Sequence, residues 1–96
     1  MTAFFVATSH IKDPQKFAEY GAKAGSTLAS FGGKLVLRGK AEDALSGHCD
    51  HHAIGIIQFS KMDDLKAWFK APAYQALIPL RNEAADMTLV TYEVPA

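Results

Sequence analysis

The sequence predicts an α+β fold in which two helices cover one face of an antiparallel four-stranded sheet. Three observations carry this expectation. Four short runs rich in β-branched and aromatic residues alternate with stretches of helical periodicity. Their order along the chain is strand, helix, strand, strand, helix, strand. The 96 residues, about half of them apolar, suffice for a single domain (residues 1–96) with a modest core.

Each element has its own signal. AFFVATSHI, residues 3–11, combines aromatic and β-branched residues and reads as the first strand. Asp13 then supplies an N-cap and Pro14 takes the first helical position, where its missing N–H costs nothing. Phe17, Tyr20, Gly21, Ala24, Leu28 and Phe31 recur at helical spacing and form one apolar stripe, which Gly32 and Gly33 end. KLVLRG, residues 34–39, is the second strand, and the polar AEDALSG segment is a loop that turns the chain back. HAIGIIQFS, residues 52–60, is the third strand. Ser60, with Asp63 three residues later, resembles a capping box for a second helix through Leu65, Trp68 and Phe69. Trp68 and Phe69 read as core, and Pro72 stops or redirects this helix. AYQALIPLRNEAAD has mixed helical character, broken again at Pro79. MTLVTYEV, residues 87–94, is the last strand, apolar on both sides, so its phase stays open. With right-handed crossovers this order gives a sheet arranged 4-1-3-2, the ferredoxin-like βαββαβ topology.

Ten basic residues balance ten acidic ones and no basic run occurs, so nothing in the charge pattern draws the chain to nucleic acid or to an anionic membrane. The lone Cys49 cannot form an intrachain disulfide, which fits a reducing cytoplasm. The start MTAFFVATSH lacks the basic region of a secretory signal, and no stretch reaches the roughly 20 apolar residues of a membrane span. The expectation is a cytoplasmic protein.

Alternation along the strands assigns their faces. Phe5, Ala7, Ser9 and Ile11 should meet the helices, as should Leu35 and Leu37, and Ile57 and Phe59. Phe4, Val6, Thr8 and His10, with Lys34, Val36 and Arg38, and with His52, Ile54, Ile56 and Gln58, should face away. That second face is apolar, and two helices cannot cover it. A second copy packed sheet to sheet would, which predicts a homodimer with a barrel-like space between two sheets. At one end of the same face Thr8, His10, Arg38 and His52 should lie together, with Tyr74, Arg81 and Asn82 returning to that edge. Two guanidinium groups beside an apolar cavity suit a small anion such as a carboxylate, and histidine there can move a proton near neutral pH.

Several stretches give the chain a family likeness. Asp13-Pro14 with FAEY (residues 17–20), GGKLVLRG (32–39) and APAYQALIPLR (71–81) stand in the order and spacing of the domain-of-unknown-function 1330 family, which the chain resembles over nearly its whole length. The family usually carries a carboxylate where this chain has Gln58, and HCDHH (48–52) is outside its pattern. The resemblance implies a dimeric α/β barrel and no particular reaction. Related barrels include cofactor-free monooxygenases, lactone isomerases and haem-degrading enzymes.

The expected function is therefore a small homodimer that binds a small anionic organic molecule in a cleft at one end of the sheet. Arg38 and Arg81 would hold the anion, Thr8 and Tyr74 would line the wall, and His10 and His52 would supply proton transfer. The catalytic version is a cofactor-free isomerase or monooxygenase; no cofactor is expected. Two other readings stand beside it. One is a non-catalytic binding or assembly module, in which Arg38, His10 and His52 serve the interface and Tyr74 and Arg81 serve packing. The other is metal binding through residues 48–52, with His48, Cys49 and His51 as ligands; the adjacent His51 and His52 point to opposite faces of a strand, and no standard zinc spacing is present. Cys49 with its flanking histidines also has the atoms of a nucleophile, though a polar loop leading into a strand explains the same residues.

Overall fold

A computed structural model describes residues 2–95. Strand β1 (Ala3–Ile11) leads into helix α1 (Pro14–Leu28). The Asp13 side chain accepts the Lys16 N–H at 3.1 Å and Pro14 opens the helix, as the sequence predicts. A single 3₁₀ turn (Ala29–Phe31) closes on Gly32, whose φ of 74° is the left-handed conformation of a C-terminal cap. Gly33 has a different role: a Cβ there would lie 2.7 Å from the Phe59 ring.

Strands β2 (Lys34–Lys40) and β3 (Ala53–Phe59) follow, then α2 (Met62–Lys70), the one-turn α3 (Pro72–Gln75), α4 (Ile78–Ala84) and β4 (Ala85–Glu93). Lys61, not Ser60, occupies the N-cap of α2, and no side chain caps it. The expected Ser60–Asp63 capping box therefore does not form; Asp63 and Asp64 in the first turn meet the helix dipole instead. Pro72 ends α2 and starts α3, because proline tolerates the first position of a helix. The sheet is antiparallel throughout, with order β2-β3-β1-β4. This is the predicted ferredoxin-like topology.

Cross-strand register sets the faces, since paired residues share a side. Phe5 pairs with Ile57 and Thr91, Ala7 with Gly55 and Leu89, and Ser9 with Ala53 and Met87. These form the helix side. Val6 pairs with Ile56 and Val90, and Phe4 with Gln58 and Tyr92; these form the open side. The phase of β4, open in the sequence, is now fixed: Thr88, Val90 and Tyr92 face away from the helices.

Strand β2 departs from strict alternation. A bulge between Leu35 and Leu37 leaves Leu35 opposite Ile57 but puts Leu37 opposite Ile56 and Arg38 opposite Gly55. One inserted residue inverts the phase of the rest of the strand. The expectation that Leu37 meets the helices and Arg38 faces away is therefore reversed on both counts. The core between helices and sheet centres on Trp68, Tyr74 and Phe59, which are fully buried. Trp68 stacks on Phe5 with ring centroids 5.1 Å apart and lies 4.3 Å from the Tyr74 ring. Its indole N–H donates to Thr27 Oγ1 at 2.8 Å. No helix among the described residues is long and apolar enough to cross a membrane.

Candidate functional site

Small residues on two facing walls create a hollow. On the sheet side stand Ala7, Ala53 and Gly55; on α1, Gly21, Ala24 and Gly25. A Cβ added to Gly21, Gly25 or Gly55 would meet nothing within 4 Å. The cavity between these walls measures about 500 Å³, within the range of small-molecule sites. Phe5, Trp68, Met87 and Leu89 line it, and so do Arg38 and Lys40 of β2. Periodicity marks Gly21 and Ala24 as part of the apolar stripe of the first helix. Their size, matched by equally small inward residues on the first and third strands, is the signal for a void.

One polar chain enters this cavity. Arg81 Nη1 donates to Tyr74 Oη at 3.0 Å, and the Tyr74 and Tyr20 hydroxyls are 2.7 Å apart. The guanidinium can only donate. Tyr74 has no exposed surface, so if Tyr20 donated to Tyr74, the Tyr74 proton would be buried without an acceptor. Donation from Arg81 to Tyr74 and from Tyr74 to Tyr20 leaves none stranded. Tyr20 is the member that lines the cavity, and its own proton is the one left to offer. Burial, then the hydrogen bond and charge interaction with Tyr74, push the Tyr20 hydroxyl well above the ordinary phenol range, with Arg81 pulling the other way. Tyr20 therefore stays protonated and acts as a donor. Among the described residues, no carboxylate or imidazole lines the cavity.

The residues singled out in the sequence fall into two groups rather than one. Tyr74 and Arg81 lie on the helix side beside Tyr20; Arg38 also faces the helices through the bulge and lines the cavity, but Arg81 lines a different one. Thr8, His10 and His52 stay at the end of the open face. The His10 and His52 rings are 4.1 Å apart, and His52 Nδ1 accepts the Ile11 N–H at 3.0 Å, which places the neutral ring's proton on Nε2. Thr8 and His10 line a polar groove of about 540 Å³ with Asn82, Asp86 and His51. Tyr20 was not a candidate from the sequence; as one member of a helical stripe it is indistinguishable from a core tyrosine.

The histidine-rich loop is exposed and locally bonded. Cys49 Sγ donates to the His51 carbonyl at 3.3 Å, and His51 pairs with Asp50 at 3.4 Å. Among the described residues, no group of three or more His, Cys, Asp or Glu side chains is placed to hold a metal ion. Cys49 Sγ lies 3.9 Å from His51 Nδ1, but His48 does not complete a group of three with them.

Topology and cavity together define a ferredoxin-like α+β domain with a hollow between its helices and its sheet. The chain belongs to the domain-of-unknown-function 1330 family, whose model matches residues 2–94. Among solved structures it is similar to a protein of unknown function from Rhodopseudomonas palustris (20% identity, 99% of this chain and 83% of that one, TM-score 0.81). A dimeric ferredoxin-like protein of unknown function from Jannaschia matches with 13% identity, 98% and 100% coverage and a TM-score of 0.81. A mutant form of SnoaB, a cofactor-independent oxygenase from Streptomyces nogalater, matches with 12% identity, 99% and 94% coverage and a TM-score of 0.73. No curated protein matches the sequence.

Proposed function

We propose that this chain is a homodimer that binds a small, flat, oxygen-bearing organic anion in the cavity between α1 and the sheet. The observation that carries the reading is the Arg81–Tyr74–Tyr20 chain, which ends on a hydroxyl at an apolar, aromatic-walled space. A donor polarised by a cation suits a carbonyl, enolate or phenolate oxygen. The catalytic form is an isomerase or oxygenase without a cofactor. With no base on the lining, its substrate must itself be acidic enough to ionise near neutral pH, and Tyr20 then stabilises the resulting oxyanion. The shared fold of SnoaB, a cofactor-independent oxygenase, supports the catalytic form.

The dimer rests on the open face. Leu37, Ile54, Val90 and Tyr92 are each at least a third exposed there, and Phe4 stacks on Tyr92 with centroids 5.1 Å apart. A contiguous patch of this kind is rarely left in water. Two structural neighbours described as dimeric ferredoxin-like proteins support the same arrangement. Thr8, His10 and His52 then sit at the rim of the interface.

Trp68, the chain's single tryptophan, lines the cavity and reports on it. Anthraquinone-2-carboxamide, a flat neutral diketone, should quench its emission saturably. Tyr20→Phe should weaken that binding by up to about tenfold, the worth of one neutral hydrogen bond. Absence of saturable quenching overturns the cavity reading, and a monomer by light scattering overturns the dimer.

A further inference from the structure

A second chamber of about 350 Å³ adjoins the cavity, and both are lined by Phe5, Trp68, Met87 and Leu89. It differs in charge. Arg81, Lys66 and Lys70 line it, and no acidic residue does. Among the described residues none of these three cations is in an ion pair, whereas Lys12, Lys16 and Lys23 all are. The Arg81 guanidinium is poorly compensated. Among the described residues its one hydrogen bond runs to Tyr74; its Nε is shut away from solvent with no acceptor, so it is the terminal nitrogens that a ligand in the chamber would meet.

Helix physics explains only part of the arrangement. Lys66 and Lys70 are one turn apart on α2, a like-charge spacing that costs a helix stability. Lys70, in the last turn, gains from the helix dipole, and Lys66 follows Asp63 by three residues, an opposite-charge spacing that favours a helix; neither relieves the repulsion between the two lysines. An anion between the two lysines and the guanidinium would satisfy all three.

We propose that this chamber is an anion subsite for a carboxylate carried by the ligand of the main cavity. The ligand class is then a flat aromatic acid: its ring system lies against Trp68, its carbonyl or phenolic oxygen meets Tyr20, and its carboxylate meets Arg81, Lys66 and Lys70. This inference rests on the cavity reading above, and one experiment separates the two.

Trp68 emission is titrated with anthraquinone-2-carboxylate and with anthraquinone-2-carboxamide, in the wild-type chain, in Lys66→Gln and in Lys66→Gln/Lys70→Gln. The subsite predicts that the carboxylate binds wild type at least about tenfold tighter than the carboxamide. The gap should narrow in the single variant, narrow further in the double variant, where Arg81 alone remains, and shrink with added salt. Carboxamide affinity should be equal in all three proteins, which checks that the variants keep the cavity. Equal affinity of the two compounds for wild type overturns the subsite and leaves the cavity standing. A gap undiminished in the double variant also overturns it, placing the attraction elsewhere, for instance at Arg38. Failure of both compounds to quench removes the cavity and the subsite together.

Discussion

Tyr20 and Tyr74, 54 residues apart in sequence, share a hydroxyl–hydroxyl hydrogen bond of 2.7 Å inside the protein. The bond joins α1 to α3, and Arg81 of α4 closes it from behind. Three helices thus meet at one polar knot in an otherwise aromatic layer.

The knot should matter for stability at both of its tyrosines. Tyr74→Phe strands both the Tyr20 hydroxyl and an Arg81 N–H, and should cost about 1–3 kcal/mol. Tyr20→Phe leaves Tyr74 still accepting from Arg81 but strands the buried Tyr74 proton, and should cost a comparable amount. Urea unfolding of the two single variants and the double variant measures these costs. The double should cost less than the sum of the singles, because the two residues are in contact.

The same tyrosine gives stability a pH dependence at the alkaline end. The Tyr20 hydroxyl titrates well above its unfolded value of about 10, so the folded chain holds a proton there that the unfolded chain has lost. Below that pH both states are protonated and Tyr20 contributes no slope. Above it stability should fall by up to about 1.4 kcal/mol per pH unit from this group. Tyr20→Phe should remove that component, so urea midpoints measured through the alkaline range should fall less steeply in the variant. Equal slopes would mean that Tyr20 ionises as readily folded as unfolded.

How far the sequence disclosed this molecule depends on where local rules held. Asp13 and Pro14 start α1 and Gly32 caps the 3₁₀ turn that follows it, because capping acts over a few residues. The faces of β1 and β3 follow from strict alternation. Arg38 escaped because the bulge at Val36 leaves no mark in KLVLRG, yet it reverses every side chain after it. Tyr74 and Arg81 were legible as candidates from their chemistry. Their location was not, since it depends on how α3 and α4 return across the helix layer, and no periodicity encodes that path. With Arg38, Tyr74 and Arg81 on the helix side, the expected single site divides into a cavity and an interface rim.

Gly33 tests the packing of the 3₁₀ turn on the sheet. An alanine Cβ would sit 2.7 and 2.8 Å from two Phe59 ring carbons and 3.0 Å from a Leu28 methyl. Phe59 is 1% exposed, so its ring has nowhere to swing. Gly33→Ala should destabilise by about 1–3 kcal/mol. A fall in Tm of several degrees, roughly 4–8 °C per kcal/mol at this size, is the expected reading.

The open face makes its own prediction. Val90 is 43% exposed and pairs with Val6 in the middle of that face, so a charge there leaves the helix-side core untouched. Val90→Glu should keep the fold by circular dichroism and yield a monomer by light scattering at micromolar concentration. Two buried carboxylates facing each other across a two-fold interface would oppose association. If the variant stays dimeric, the interface lies elsewhere.

Gly25 separates a cavity kept for ligand from one that is merely tolerated. It sits in the middle of α1, where glycine costs a helix roughly 0.5–1 kcal/mol relative to alanine, and a Cβ there meets nothing within 4 Å. Gly25→Ala should therefore stabilise the protein by about that amount. Gly25→Leu should also gain apolar contact by filling part of the hollow. If the hollow holds a ligand, the leucine variant should unfold at a higher urea concentration while losing the quenching of Trp68 by anthraquinone-2-carboxamide. Stability and binding would then move in opposite directions at one residue, the signature of a site whose emptiness has a use. A leucine variant that is more stable and still binds would place the ligand outside the space between Gly25 and the sheet.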